Sequence, residues 1–523
     1  MTSPNHPSVG EALVAGLRAR GVNVVFGIPG VHTIQLYRGL PSSGIRHVTA
    51  RHEQGAAFMA DGYARVSGKP GVAFVITGPG LTNALTAMGQ AKADSIPILI
   101  ISGVNRLASL GRGFGLLHEL PNQAAMVAPL CPTFQVASPE ELEATLNAAF
   151  AALSTGRPGP VHIEIPTDVM PCSTTPLPPV PTQPIPAPPA YDKATRRLNA
   201  AGRPVILAGG GARYATQALQ AVAEKLDAPV VQTTNARGLM HGHPLTIPAS
   251  PSLDAVRALI ADSDQILAIG TELGPTDYDM YVRGGLPDLS DMIRVDLCAD
   301  QLARHPAAIT LQADANAALT ALLPTLMQKH SNGPTRAAKT RNAALAELSP
   351  AMHQQLSMLH AMRDAQPGGI IVGDSTQPVY AGNLYFDHDR PGGWFNAATG
   401  YGALGFGPGA AVGAALAAPG APVTCLIGDG GLQFSPGELR TAVDESLPIT
   451  FIIWNNSGFR EIADAMREAK IPVIGCDPSP LKMQPFAAAC DLPFTSIENN
   501  PTALRAALTA PNNGPRMIEI RVT

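Results

Sequence analysis

The chain has 523 residues, 45% of them apolar and only 15% charged, with 36 Lys plus Arg against 40 Asp plus Glu and a net charge of −4. That length exceeds what one hydrophobic core supports and implies two to four domains of roughly 100–200 residues each. So small a charge over such a chain excludes electrostatically driven binding to nucleic acid or to an anionic membrane, and a charged fraction below the usual value of about 25% points to surface covered by further copies of the chain.

In chain order, VNVVFGIPG, GVAFVITGPG and IPILIISG read as buried parallel strands ending in Gly/Pro turns, separated by helical patterns such as EALVAGLRARG. A second block gives RPVILAGGG, APVVQTT, QILAIGTEL and MIRVDL, and a third gives GGIIVGD, PVTCLIGDGG, PITFIIWNNSG and RMIEIRV. The alternation predicts an α/β protein of three consecutive parallel-sheet units, with ligands beyond the carboxyl ends of the strands. The expected boundaries are 1–170, 190–330 and 350–523. Between the first two lies a linker over 171–189, where nine of nineteen residues are proline, a composition that extends as a semi-rigid spacer. A polar break at 329–350 separates the last two.

Six cysteines, Cys131, Cys172, Cys298, Cys425, Cys476 and Cys490, are scattered without a CxxC pair, as expected of buried thiols in a reducing compartment. The first twenty residues lack a basic start followed by an apolar run, so a cytoplasmic location is expected. From Pro391 to Gly428 there are 38 residues without a charge, but four Pro and ten Gly among them argue for turns and a buried small-residue helix instead of a membrane span.

The most informative constellation is Gly428-Asp429-Gly430-Gly431 after one apolar strand and Asn455-Asn456-Ser457-Gly458 after the next. An acid and an amide oxygen at neighbouring strand ends can hold a hard divalent cation, and the glycines admit a diphosphate bridged by it. This pair resembles the cofactor signature of thiamine-diphosphate-dependent enzymes, in the superfamily of acetolactate synthases and 2-oxo-acid decarboxylases. The resemblance extends over the whole chain and implies a pyrimidine-binding domain, a middle domain and a diphosphate-binding domain, in that order. It also implies Mg²⁺ ligation by Asp429, Asn456 and the Gly458 carbonyl. The diphosphate would meet Gly428, Gly430 and Gly431, with Thr376 and Gln377 of GDSTQP at its oxygens.

In the same way RHEQGA and ADGYAR resemble the pattern around the family's glutamate, which implies that Glu53 shares a proton with N1′ of the aminopyrimidine. GYGALG places Gly402 where a carbonyl accepts from the 4′-amino group, and Leu404 where an apolar side chain holds the cofactor bent. Substrate contacts are expected of His32 after the Gly27-Ile28-Pro29-Gly30 turn, of His118 and Gln123 in FGLLHELPNQ, which resembles the family's loop entering the neighbouring active site, and of Phe459 and Glu461 after the metal loop. Because Glu53 and Asp429 act on opposite ends of one cofactor, the resemblance implies a homodimer as the smallest functional unit, and commonly a tetramer.

The middle block is less informative. Gly209-Gly210-Gly211 lacks the GxGxxG spacing of a dinucleotide site, and acids in GTELGPTD replace the basic turn of FAD-binding relatives, which argues against FAD. Glu272, Asp277 and Asp279 are expected on a solvated turn. FGIPGVHTIQLYRG, RHEQGAAFMADGYARVSG and GTELGPTDYD resemble the 5-guanidino-2-oxopentanoate decarboxylase branch. The implied reaction is decarboxylation of a 2-oxo acid through an enamine, with release of an aldehyde. Acetolactate synthase-like joining of two 2-oxo acids stays open as an alternative, and a nicotinamide-dependent oxidoreductase as a remote one.

Overall fold

The computed structural model describes residues 6–180, 189–280 and 282–522; positions 181–188 of the proline-rich linker lie outside the described residues. Three six-stranded parallel sheets follow one another along the chain. The first orders as β2-β1-β3-β4-β6-β5, from β1 (Val24–Gly27), β2 (Arg46–Thr49), β3 (Gly71–Val75), β4 (Ile98–Val104), β5 (Thr133–Gln135) and β6 (Pro160–Pro166). The second orders as β12-β11-β10-β7-β8-β9, from β7 (Pro204–Ala208), β8 (Val230–Gln232), β9 (Thr246–Ile247), β10 (Gln265–Ile269), β11 (Ile293–Asp296) and β12 (Ile309–Gln312). The third orders as β14-β13-β15-β16-β18-β17, from β13 (Ile370–Gly373), β14 (Trp394–Asn396), β15 (Val423–Gly428), β16 (Ile449–Asn455), β17 (Phe494–Glu498) and β18 (Arg516–Arg521). The central strands are buried on both faces, which explains their unbroken Val/Ile/Leu runs.

The cores are not confined to single domains. One apolar cluster runs from Phe26 and Phe58 in the first domain through Phe406 and Phe451 in the third. Its bridge is the contact between α1 (Glu53–Ser67) and a helix formed by Phe406–Ala417. The uncharged stretch 391–428 therefore finds its cover within the chain: its small-residue helix lies against α1. A Cβ on Gly62 would stand 2.0 Å from the Ala410 carbonyl oxygen, and one on Gly413 2.0 Å from that of Met59. Backbones this close leave room for hydrogen alone. The clasp is completed by Arg65, buried with bonds to Asp61 at 2.5 Å and Asp94 at 2.6 Å, its guanidinium over the rings of Phe395 and Phe406. The two carboxylates offset the cost of burying that cation.

Two further expectations meet the structure differently. The polar segment 329–350 contains a helix, Gly333–Ala346, whose Ala337, Thr340 and Ala344 repeat at helical spacing toward the core. The acids of the 272–279 segment are anchored and not merely solvated. Asp277 accepts from the Thr234 amide at 3.1 Å, Asp279 accepts from the amides of Arg283 and Gly285, and Glu272 pairs with Arg157 and Arg304. For Asp277 and Glu272 sequence alone misses this because Thr234, Arg157 and Arg304 are brought close only by the tertiary fold, whereas the donors to Asp279 are local. Four of the six cysteines are buried and all are free. Among the described residues no helix is long and apolar enough to cross a membrane.

Gly413→Val tests the interdomain clasp. Overpacking a closed helix contact costs about 1–3 kcal/mol, so thermal unfolding should show a transition several degrees lower than in the parent chain, whereas valine at Gly159, whose φ is not positive and whose Cβ would meet nothing within 4 Å, should cost less.

Candidate functional site

At the carboxyl ends of β13, β15 and β16 lies a cavity of about 420 Å³. Gly428 ends β15, and Asp429 opens the short helix Asp429–Leu432. The Asp429 carboxylate accepts from the Gly458 amide at 3.1 Å, and burial raises its pKa against the hydrogen bonds of surrounding amides. One end of the Asn456 amide lies 3.2 Å from Gln377 Oε1; the other lies 2.9 Å from the Gly458 carbonyl oxygen and 3.3 Å from Asp429 Oδ1. With the amide nitrogen toward Gln377, three oxygens converge. That grouping is repulsive by itself and suits a cation among them. Adjacent ligands of an octahedral Mg²⁺ at about 2.0–2.1 Å are separated by roughly 2.9 Å, so the spacing fits.

Gly458 is held there by backbone shape. Its φ is +146°, and a Cβ would stand 2.6 Å from the Cys476 carbonyl oxygen. On the opposite wall Thr376 is the N-cap of the helix Gln377–Leu384, and its side chain makes no capping bond. The Thr376 hydroxyl and the Gln377 amide are placed to receive an anion, since Pro378 carries no N–H and the Val379 and Tyr380 amides donate to the Thr376 carbonyl. The GDGG glycines make room for neighbours: a Cβ on Gly430 would meet the Phe459 ring at 2.6 Å. Beneath them Asp374 accepts from Ser375 and Gly407 amides at 2.8 and 2.9 Å, while burial pushes its carboxyl up to about 6. It ties the floor of the site to the helix Phe406–Ala417, a role for which GDSTQP alone carries no signal.

Gly402, with φ +77°, and Leu404 line the same cavity, as do Phe459 and Glu461. Their loop is fixed from the first domain by α2 (Pro79–Asp94). Gln90 Oε1 accepts from the Ala403 amide at 3.2 Å, and Asp94 Oδ1 accepts from the Thr399 hydroxyl at 2.7 Å. Sequence reasoning missed both residues.

The remaining expected residues gather elsewhere. Glu53 begins α1, where Asn83 Nδ2 donates to its Oε2 at 3.0 Å. The turn before it is pinned by buried Glu438 of the third domain, which accepts from the amides of Arg51 and His52. His32 and His118 stack edge to face with ring centres 5.3 Å apart, and desolvation lowers the His32 pKa. Gln123 is buried, and its amide is fully engaged with the Gly78 amide, Ser102, the Gly103 carbonyl and Glu164. Those contacts organise the Gly78 turn, which passes beside both His118 and the Glu53 carboxylate. The chain thus carries two half-sites, one around Glu53 and one around Asp429, and Glu53 does not line the cavity that Asp429 does.

A second cleft, of about 250 Å³, separates the middle domain from the other two. Gly209 and Gly211 form part of it, but their amides donate to the carbonyls of Ile269 and Gly270. A Cβ on Gly209 would stand 2.3 Å from the Gly270 carbonyl oxygen, so these glycines serve the close approach of two turns.

A triple α/β fold with an oxygen-lined cation position beside two helix N-termini defines an enzyme that works through a diphosphate-bearing cofactor. The chain belongs to the thiamine pyrophosphate enzyme family: residues 7–126 match its N-terminal TPP binding domain, 191–322 its central domain and 374–520 its C-terminal TPP binding domain. It is 45% identical to the "Probable 2-ketoarginine decarboxylase AruI" of Pseudomonas aeruginosa, over 90% of this chain and 86% of that protein. It is 30% identical to the acetolactate synthase isozyme 1 large subunit of Escherichia coli, over 98% and 93% respectively. Among solved structures, the thiamine diphosphate-dependent 4-hydroxybenzoylformate decarboxylase of Rhodococcus jostii RHA1 superposes with a TM-score of 0.83, covering 99% of each chain at 24% identity, a likeness of fold.

Asp94→Asn tests the link from α2 to the cofactor loop. The variant loses charge on a residue that serves Arg65 and Thr399, and we expect the thiamine diphosphate concentration for half-saturation to rise about tenfold, measured by cofactor titration of the apoenzyme.

Proposed function

We propose that this chain decarboxylates a 2-oxo acid with a basic side chain and releases the aldehyde, using thiamine diphosphate and Mg²⁺. The 45% identity to the Pseudomonas aeruginosa protein carries this reading, and the oxygen-lined cavity supports it. Carboligation of the acetolactate synthase kind is the second reading, favoured by the 30% relatives.

When bound, the cofactor supplies the carbon nucleophile and the electron sink that loss of CO₂ requires. The residues hold and tune it. Asp429, Asn456 and the Gly458 carbonyl would ligate Mg²⁺, while Thr376, Gln377 and the amides around Gly428, Gly430 and Gly431 would take the diphosphate. The Gly402 carbonyl and Leu404 would orient the pyrimidine. Glu53 would share a proton with the pyrimidine N1′. Asn83 occupies Oε2 of that carboxylate, which leaves Oε1 for the shared proton.

Separation of the two half-sites supports a homodimer in which each cofactor sits between Glu53 of one chain and Asp429 of the other, with a tetramer as a further step. Apolar side chains exposed near both halves support it as well: Val31, Phe114 and Leu117 on the first domain, and Tyr401, Phe434 and Ile474 on the third. A cytoplasmic location is consistent with a chain built for small 2-oxo acids.

Product analysis with a panel of 2-oxo acids tests the reaction. Aldehyde and CO₂ in equal amounts are expected from 5-guanidino-2-oxopentanoate; acetolactate from pyruvate as the main product would overturn the decarboxylase reading. Glu53→Gln should lower kcat at least 100-fold, consistent with loss of acid–base assistance, while thiamine diphosphate still binds. Full activity in that variant, or a nicotinamide-dependent absorbance change, would refute the mechanism. Chelation of divalent cations should abolish turnover, and Mg²⁺ should restore it.

A further inference from the structure

The cavity wall beyond the cofactor cradle has an unusual composition. Asp429 faces Asn456 and Gly458, which leaves Glu461 as the remaining acid among the lining residues. Glu461 lies in the first turn of the helix Arg460–Glu468, three residues past the metal loop. It forms no ion pair among the described residues. Its polar contact is with Gln377, and the charges that act on it, Asp464 and Glu468, have the same sign. Arg460 lines the cavity too, but its Nε donates to the Asn456 carbonyl at 2.9 Å, which turns it along the metal loop. Glu461 thus has a hydrogen bond from Gln377 but no cationic partner among the described residues.

Two aromatic side chains, Tyr380 and Phe459, share that wall with it. An aromatic face beside a carboxylate is the surround that suits a guanidinium: the planar cation stacks on the ring and directs paired N–H groups at the carboxylate. An ammonium uses the carboxylate as a point charge and gains less from the rings. A neutral side chain would offer the carboxylate no opposite charge, and the hydrogen bond it made would be the weaker one.

We propose that Glu461, flanked by Tyr380 and Phe459, reads the terminal guanidinium of the substrate and sets the preference of the enzyme for a cationic 2-oxo acid. This rests on the decarboxylase reading above. The side chain takes no part in bond breaking; it selects which acid is held with its carboxylate toward the reacting end.

The test compares two nearly isosteric substrates, 5-guanidino-2-oxopentanoate and its neutral ureido analogue, with thiamine diphosphate and Mg²⁺ present. The parent enzyme is expected to favour the guanidino substrate in kcat/KM by about tenfold or more, the range for a hydrogen bond to a charged partner. In Glu461→Gln this ratio should fall about tenfold, mainly through KM for the guanidino substrate, and Glu461→Asp should fall between. Turnover of the ureido compound reports that each variant is folded and loaded. An unchanged ratio in both variants would overturn the role of Glu461 while leaving decarboxylation intact. Failure of the parent enzyme to release CO₂ from either compound would overturn the decarboxylase reading itself, and this proposal with it.

Discussion

The arrangement depends on one close contact between helices. Glu53–Ser67 and Phe406–Ala417 approach until a carbonyl oxygen occupies the place of a side chain at Gly62 and Gly413. Only that approach lets the first and third domains share a core, and only a shared core fixes the Glu53 turn against Glu438. The buried Arg65 adds specificity. Its carboxylate partners both come from the first domain, while its face is covered by aromatic rings of the third. A shifted register would leave those ion pairs intact but would pull the guanidinium face away from the rings of Phe395 and Phe406.

Around this joint the cofactor region is held from several directions. Strand ends deliver Asp429 and Asn456, a backbone collision with Cys476 reserves position 458 for glycine, and Asp374 anchors the floor. From the first domain, Gln90 and Asp94 hold the loop that bears Gly402 and Leu404. The separation of this half from Glu53 is a property of the single chain, and it is the observation on which the proposed homodimer rests.

Much of this was legible in the sequence. Apolar runs capped by Gly-rich turns announce parallel strands because both faces of such strands are buried, and GDGG with NNSG at adjacent strand ends marks the two turns that line one cavity. What stayed hidden is long-range. Asn83, Gln90, Asp94 and Glu438 look like ordinary helix polar residues until the fold brings them against Glu53 or the cofactor loop. The reverse holds for Gln123, whose loop position suggested substrate contact and whose amide proves to be spent on four neighbours. Charged positions at 272–279 were misjudged for a similar reason, since local composition cannot reveal donors supplied by Arg157 or Thr234.

Gly458 and Glu461 are separated by two residues, yet they obey opposite rules. The first tolerates no side chain, because the loop that shapes the cation position passes against Cys476. The second lies in the first turn of a helix and is exposed, so a change of side chain there meets no closed backbone contact. On the roles proposed above, chemistry and selectivity would be encoded side by side and could vary independently. A lineage could retune the acid it accepts through substitutions on one helical turn while its catalytic apparatus stays untouched, and a protein engineer could follow the same route.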